Sequence, residues 1–526
     1  MTYDILIKDG TIISGAGQPR FRADIGISGG SIKDIGNPTL PGADGQKTIT
    51  AFGKFVTPGF VDITSHADKN WSLFQNPLQD YLLTQGVTTI LIGNCGSSLA
   101  PLVAAEAADL LQKWSEVEIS NINWSTVGEL ARELERHPLG VNVATLIGHG
   151  TIRRGLTQGE PRPLAIEEIQ QAVELVEKGM KDGAFGLSTG LAYSHEAIAK
   201  EVEISSLAKA AARYGGIYKT HLRSESLDII PAVSEAIRIG RESGAGVIIS
   251  HLKAIGRKSW PFFRKALGMI ERASRDGLKL NFDISPYQRT GSLAYLLLPN
   301  WSREGGPEAI LKRLASGETR AAVVEAVKNQ TLHYERYIVA NSTSPSANGR
   351  TIAEIAGRRG QAPEETLAEI ILASQGRAKI FGKTISLKNI ADGIAHSLSV
   401  VASDGSGVSV EVSGAGVLVH PRSTGAFPHF LHSFVGEKKL MSWEEGIRKI
   451  TSLPAAAVGF EKRGRIEKKF HADIVVFDPE KIHDRATYHN PYVHSRGIEA
   501  VVVNGKLAIE NGQLTGIAAG QVLKKR

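Results

Sequence analysis

One cysteine, two histidines and an aspartate stand in this chain where a metal-dependent hydrolase would need them. Cys95 ends the apolar run VTTILIGNC, and His221, His251 and Asp404 end three later runs of the same kind, GGIYKTHL, GVIISHL and SLSVVASD. A thiolate, two imidazoles and a carboxylate are the donors of a Zn²⁺ centre that activates water for hydrolysis. Taken singly, each has a plainer reading: a buried small hydrophobe for the cysteine, core or loop residues for the histidines, and a turn for the aspartate in SDGSG. Their shared position at strand ends favours convergence, because every strand of a parallel barrel ends on the same face. An aspartate ending the last strand could take a proton from water and pass it to a leaving amine.

The elements that must position these residues repeat one unit, a Val/Ile-rich run, a polar loop and a stretch of helical periodicity. Eight such runs occur, at 56 to 63, 87 to 94, 141 to 147, 184 to 189, 217 to 222, 247 to 252, 278 to 284 and 399 to 404. Eight is the count that closes a (β/α)8 TIM-like barrel, so the fold class expected is α/β. The stretches IEEIQQAVELVEKGMKDG and LDIIPAVSEAIRIGRESG carry apolar residues at helical spacing and finish at Gly183 and Gly244, as helices do. The gap from Ser285 to Leu398 is too long for one connecting helix and predicts an insertion between strands seven and eight, lid-like over 290 to 350.

Both chain ends alternate in strand fashion, with turns marked by Gly and Asn. Residues 1 to 55 and 461 to 526 are therefore expected to build one small β-sandwich, with the barrel domain spanning 56 to 460.

Composition narrows the function classes. The chain has 526 residues, 42% hydrophobic and 22% charged, which is ordinary globular composition with enough apolar material for a large core. No run reaches membrane-span length, and the start, MTYDILIKDG, reads as a strand and turn rather than a secretion signal. A single cysteine excludes an internal disulfide and suits a reducing cytoplasm. The net charge of +7 is spread over 61 basic and 54 acidic residues, and the terminal QVLKKR reads as a frayed, solvated tail rather than a nucleic-acid arm. Small-molecule chemistry is the expectation, with no nucleic-acid or membrane partner; a homo-oligomer stays open.

The motifs PGFVDITSHAD, GNCG, GHGTIR, STGLAYSH, YGGIYKTHLRSE, ISHLK, ASDGSG and HPRSTGAFP follow one another through nearly the whole chain. In that order they resemble the D-aminoacylase (N-acyl-D-amino-acid deacylase) branch of the amidohydrolase superfamily. The resemblance implies that Cys95, His221 and His251 are zinc ligands and that Asp404 is the catalytic carboxylate. It also implies family counterparts for Lys253, Tyr193, Tyr287 and Arg422, candidates to hold a substrate α-carboxylate through cationic or hydroxyl donors.

The chain departs from that family at Thr64-Ser65-His66, where a hydroxyl replaces the first imidazole of a His-x-His pair. Threonine is a poor zinc ligand, so His66 marks only a weak second metal position, and one tightly bound ion is expected. His149 in GHG is expected to support a loop or orient a ligand. Lys219 precedes His221 by two residues, so both side chains should point into the barrel. Its ammonium is expected near Thr64, replacing part of a second ion's charge; the plainer alternative is an internal ion pair with Asp62.

The function implied is zinc-dependent cleavage of the amide of an N-acyl-D-amino acid, with chirality resting on the resemblance alone. A cyclic-amide or dipeptide hydrolase of the same superfamily and a catalytically silent binding scaffold are the alternatives.

Overall fold

The computed structural model describes residues 2–36, 39–103, 122–330, 332–408, 413 and 416–526, and its structure is α/β. Each of the eight expected runs overlaps a parallel strand: β1 Phe60–Asp62, β2 Val87–Ile92, β3 Asn142–Thr145, β4 Gly186–Gly190, β5 Ile217–His221, β6 Gly246–Ile249, β7 Leu280–Ile284 and β8 Ser399–Val401. The order is β1-β2-β3 in one arc and β8-β7-β6-β5-β4 in the other. The two-residue strand Ile147–Gly148, just past β3, pairs with β4 and links the arcs. Between β8 and β1 the Ser403 amide donates to Asp62 Oδ1 at 3.1 Å, and the His66 amide donates to the Gly405 carbonyl at 2.8 Å.

Burial on both faces explains why these strands are nearly all apolar. One side packs Leu91, Ala144, Ile217, Ile248 and Val400 together with Phe460. The other side is covered by helices such as Ile166–Lys181, Glu201–Arg213 and Ile229–Ser243, whose apolar residues join the largest core cluster. Gly244, in the left-handed conformation at φ 72°, ends the last of these as the sequence suggested.

The first run divides between two sheets. Phe55–Pro58 pairs with the C-terminal strand Ile474–Phe477, while β1 begins at Phe60 beside β2. Gly59 marks the break, and a Cβ there would lie 2.1 Å from Thr88 Oγ1. The sheet entered by Phe55–Pro58 has nine strands drawn from both chain ends, including Thr2–Ile12, Phe21–Ser28, Ile498–Val503 and Lys506–Glu510.

Two expectations about the chain need correction. Between β7 and β8 lies a separate antiparallel sheet of Arg289–Leu293, Tyr337–Asn341 and Lys379–Lys383 with its own apolar cluster, so the inserted substructure continues past residue 350. The C-terminal tail is docked rather than frayed: Val143 bonds backbone to backbone with Gln521 and Leu523, and the Lys525 amide donates to Gly183. Val522, an apolar residue inside that basic segment, pairs beside Val143.

Candidate metal centre and active site

The turn that follows β2 places Cys95. Gly93 and Gly96 flank it with φ of 74°, and Cys95 itself sits at φ 54°. His251, two residues beyond β6, has φ 36°, and Asp404, three residues beyond β8, has φ 53°. Three of the candidate side chains thus leave their strands through left-handed backbone, which costs of the order of 1–3 kcal/mol each and needs support from the surroundings. Part of that support is visible at His251, whose amide donates to Asp283 Oδ1 at 2.7 Å.

Cys95, His221 and His251 converge, with one ligand atom from each lying within 4.8 Å of the others. Cys95 Sγ is 3.3 Å from His251 Nε2. A tetrahedral zinc with ordinary Zn–S and Zn–N bonds separates its sulfur and nitrogen ligands by about 3.5 Å, so the donor set fits a zinc-sized ion. His221 Nδ1 is buried without a hydrogen-bond partner, a second sign of fit. Burial opposes ionisation of the Cys95 thiol. The His251 charge, with the neighbouring imidazoles of His221, His251 and His66, outweighs burial and holds the thiol well below its ordinary range.

Glu225 was not singled out from sequence and proves central. Its Oε1 lies 2.9 Å from His251 Nδ1 and 2.5 Å from Lys253 Nζ, and its Oε2 lies 3.6 Å from His221 Nε2. One carboxylate therefore orients two imidazoles of the cluster and holds Lys253. Burial raises its pKa, but the charges of Lys253, His221 and His251 reverse that and drive it far below the usual range. The available signal was the acidic loop residue four positions past His221 in THLRSE, which has no periodicity to distinguish it.

Asp404 stands at the edge of the cluster. Arg422 Nη1 is 2.7 Å from its Oδ2, and His66 Nε2 is 3.4 Å from its Oδ1. Burial would raise the Asp404 pKa, yet Arg422, His251 and His66 hold it well below the ordinary carboxylate value. His66 Nε2 also lies 3.8 Å from Cys95 Sγ. His66 is thus beside the three-residue cluster, between the thiol and the carboxylate.

The four candidates for carboxylate recognition divide. Lys253, Tyr287 and Arg422 line one pocket with His251, Ser285 and Asp404. Tyr193 instead packs its ring 5.0 Å from that of His221. Tyr287 stacks on His429 at 4.5 Å between centroids, and burial followed by the Asp484 charge pushes its phenol well above the ordinary value.

Lys219 is fully buried and donates to Thr64 Oγ1 at 2.8 Å, Ser250 Oγ at 2.8 Å and Asp283 Oδ2 at 2.9 Å. Its proximity to Thr64 matches the expectation, but its acidic partner is Asp283 rather than Asp62. Asp62 accepts hydrogen bonds from Ser403 and Thr64.

His149 lies between two carboxylates, Glu196 Oε2 and Glu203 Oε1, each at 2.8 Å. Glu196 also accepts from the Gly190 amide at 2.8 Å, and it packs against Gly96 and Gly150. The histidine therefore supports the Cys95 turn indirectly, with partners that the sequence left unidentified.

The profile described as "Amidohydrolase family" matches residues 47–509. The chain belongs to the amidohydrolase family. It is 33% identical over 522 residues to the N-acyl-D-aspartate deacylase of Alcaligenes xylosoxydans xylosoxydans, covering 99% of this chain and 95% of that protein. Among solved structures, the N-acyl-D-glutamate deacylase of Bordetella bronchiseptica, complexed with zinc and a phosphonate mimic of the tetrahedral intermediate, aligns with TM-score 0.83 and 29% identity over 100% of both chains. A D-aminoacylase structure concerned with a binuclear metal centre, with one-metal activation and second-metal attenuation, aligns at TM-score 0.83 and 29% identity over 99% of this chain and 100% of its own. In this amidohydrolase, among the described residues, no helix is long and apolar enough to cross a membrane.

Proposed function

We propose that this amidohydrolase cleaves the linear amide of N-acyl-D-amino acids, releasing a carboxylate and the free D-amino acid. The observation that carries the reading is one constellation: a thiol and two imidazoles gathered within 4.8 Å, beside an aspartate held by an arginine. Relatives that act on acylated D-aspartate and D-glutamate over the full chain length support the substrate class. In this reading the eight parallel strands close as a (β/α)8 barrel that begins at Phe60, with a lid-like insertion between β7 and β8, and the terminal segments, Phe55–Pro58 included, form a β-sandwich. A reducing cytoplasm suits an enzyme whose only cysteine is free and serves as a metal ligand.

Cys95, His221 and His251 would hold one zinc ion. Bound there, the ion supplies Lewis acidity, polarising the scissile carbonyl and lowering the pKa of water toward about 7. Asp404 accepts a proton from the attacking water as its oxygen bonds to the acyl carbon. It then delivers that proton to the departing nitrogen as the C–N bond breaks. Arg422 keeps Asp404 ionised and aimed, and His66 steadies its other oxygen. Lys253 supplies charge for the substrate α-carboxylate in the pocket it shares with Tyr287 and Arg422, and Tyr193 borders the centre on the His221 side. Glu225 fixes the imidazoles so that they present nitrogen lone pairs inward.

The test is metal analysis of protein purified without chelator, followed by an assay of N-acetyl-D- and N-acetyl-L-amino acids. Stoichiometric zinc with turnover confined to D-substrates is expected. Ring opening of hydantoins without turnover of acylated amino acids would replace this reading with the cyclic-amide alternative. Metal-free, inactive protein would leave a binding scaffold.

A further inference from the structure

A second divalent ion beside the first would have to draw its ligands from His66, Asp404, Cys95 and the Thr64 position. His66 Nε2 lies between the thiol, at 3.8 Å, and the Asp404 carboxylate, at 3.4 Å. Asp404 Oδ2 is already taken by Arg422 at 2.7 Å. Thr64 precedes His66 by two residues, the spacing that would bring a side chain toward the same face, but it offers a neutral hydroxyl. That hydroxyl accepts from the Lys219 ammonium at 2.8 Å. Among the described residues, the three-donor group capable of holding an ion is Cys95, His221 and His251, without His66.

Lys219 is not a chance neighbour of Thr64. Its ammonium has three protons to donate, and Thr64, Ser250 and Asp283 take one each, so its position is fully specified. Asp283 uses its other oxygen to hold the His251 amide, and Ser250 adjoins His251 in sequence. The ammonium is thereby anchored to the segment carrying one ligand of the first ion, while it occupies the acceptor a second ion would need. On β5 it lies one inward-facing step below His221, within about 7 Å along the strand.

We propose that Lys219 acts as a built-in cation that occupies the Thr64 acceptor, restricting the centre to a single divalent ion and leaving His66 to position Asp404. This rests on the metal-dependent reading above and deepens it: Lys219 is a positioning residue that sets metal stoichiometry.

Zinc chloride is titrated into chelator-stripped protein, unbound metal is removed by desalting, and zinc per chain is counted by elemental analysis. The wild type is expected to saturate at one equivalent, and His66→Ala is expected to keep that equivalent while losing activity. The double variant Lys219→Met/Thr64→His removes the ammonium and adds an imidazole two residues from His66; it is expected to take up a second equivalent. Where that protein fails to fold, adding Asp283→Asn removes the buried carboxylate left without its lysine, and the same second equivalent is expected. Two equivalents in the wild type, one of them lost in His66→Ala, would overturn this inference while leaving the hydrolase reading intact. One equivalent in a folded double or triple variant would overturn it as well. Zero equivalents in the wild type would sink the metal-dependent reading and this inference with it.

Discussion

Arg422 and Asp404 are bound to each other at 2.7 Å, although the sequence suggested different jobs for them, one in substrate recognition and one in proton transfer. Arg422 heads the causes that lower the Asp404 pKa against burial. Replacing Arg422 with Met should let that pKa rise, so a larger fraction of Asp404 is protonated at mildly acidic pH. The acid limb of the kcat/KM profile should move to higher pH, by 1–3 units in the usual range for loss of an arginine partner. An unmoved limb in an active variant would show that Arg422 does not tune the base.

Asp404→Asn keeps the shape of the side chain and removes its proton acceptor. A decrease in kcat of about 10²–10⁴ is expected, the usual contribution of a positioned acid–base group. Zinc content should stay at the wild-type level, because Asp404 lies outside the ligand set. Loss of zinc together with activity would instead make Asp404 a ligand.

Cys95→Ser replaces the one thiolate with a hydroxyl that stays neutral near pH 7. Substoichiometric zinc and loss of turnover are expected, with circular dichroism unchanged. Full zinc occupancy in this variant would remove sulfur from the ligand set.

Glu225→Gln keeps one acceptor oxygen and removes the charge shared by His251, His221 and Lys253. Zinc affinity, read by competition with a chelator, should fall by about 10–100-fold, as for other carboxylates that orient metal-bound histidines. Glu225→Asp should recover part of it. Unchanged affinity would confine Glu225 to holding Lys253.

Gly96→Ala tests how tightly the Cys95 turn is built. The new Cβ would meet Glu196 Oε1 at 1.9 Å on a backbone with φ 74°. Glu196 cannot simply swing aside, because His149 and the Gly190 amide hold it. Destabilisation of about 1–3 kcal/mol is expected in urea unfolding. A variant within 0.5 kcal/mol of the wild type, the usual scatter of neutral substitutions, would show the turn to be tolerant.

The parts of this molecule legible in sequence are those set by short-range pattern. Each Val/Ile-rich run overlaps a strand because a parallel strand buried on both faces must be apolar throughout. The residue ending such a run was therefore a place to look for a cluster, and Cys95, His221 and His251 do converge within 4.8 Å. Partners chosen by three-dimensional proximity were not legible. Glu225 lies in a loop without periodicity, and the sequence offered Asp62 as the partner of Lys219, whereas the fold brings Asp283, also at a strand position, to it. The division of residues 56–63 at Gly59 was also hidden, since both halves are equally apolar and only the sheet each one joins separates them. The tail misled because its run of basic residues masks Val522 and Leu523, the apolar pair that docks it.

That docking has a consequence for how the protein is made. Residues 521–525 bond to Val143 and Gly183, and Ile474–Phe477 pairs with Phe55–Pro58, so contacts near the base of the assembly span more than three hundred residues of chain. Pairings so distant slow the search for the native arrangement and expose unfinished edges meanwhile. Ribosome-bound chains stopped at residue 460 should accordingly be cleaved by protease far faster than the released protein; equal resistance would mean that the barrel matures without the C-terminal strands of the neighbouring sheet.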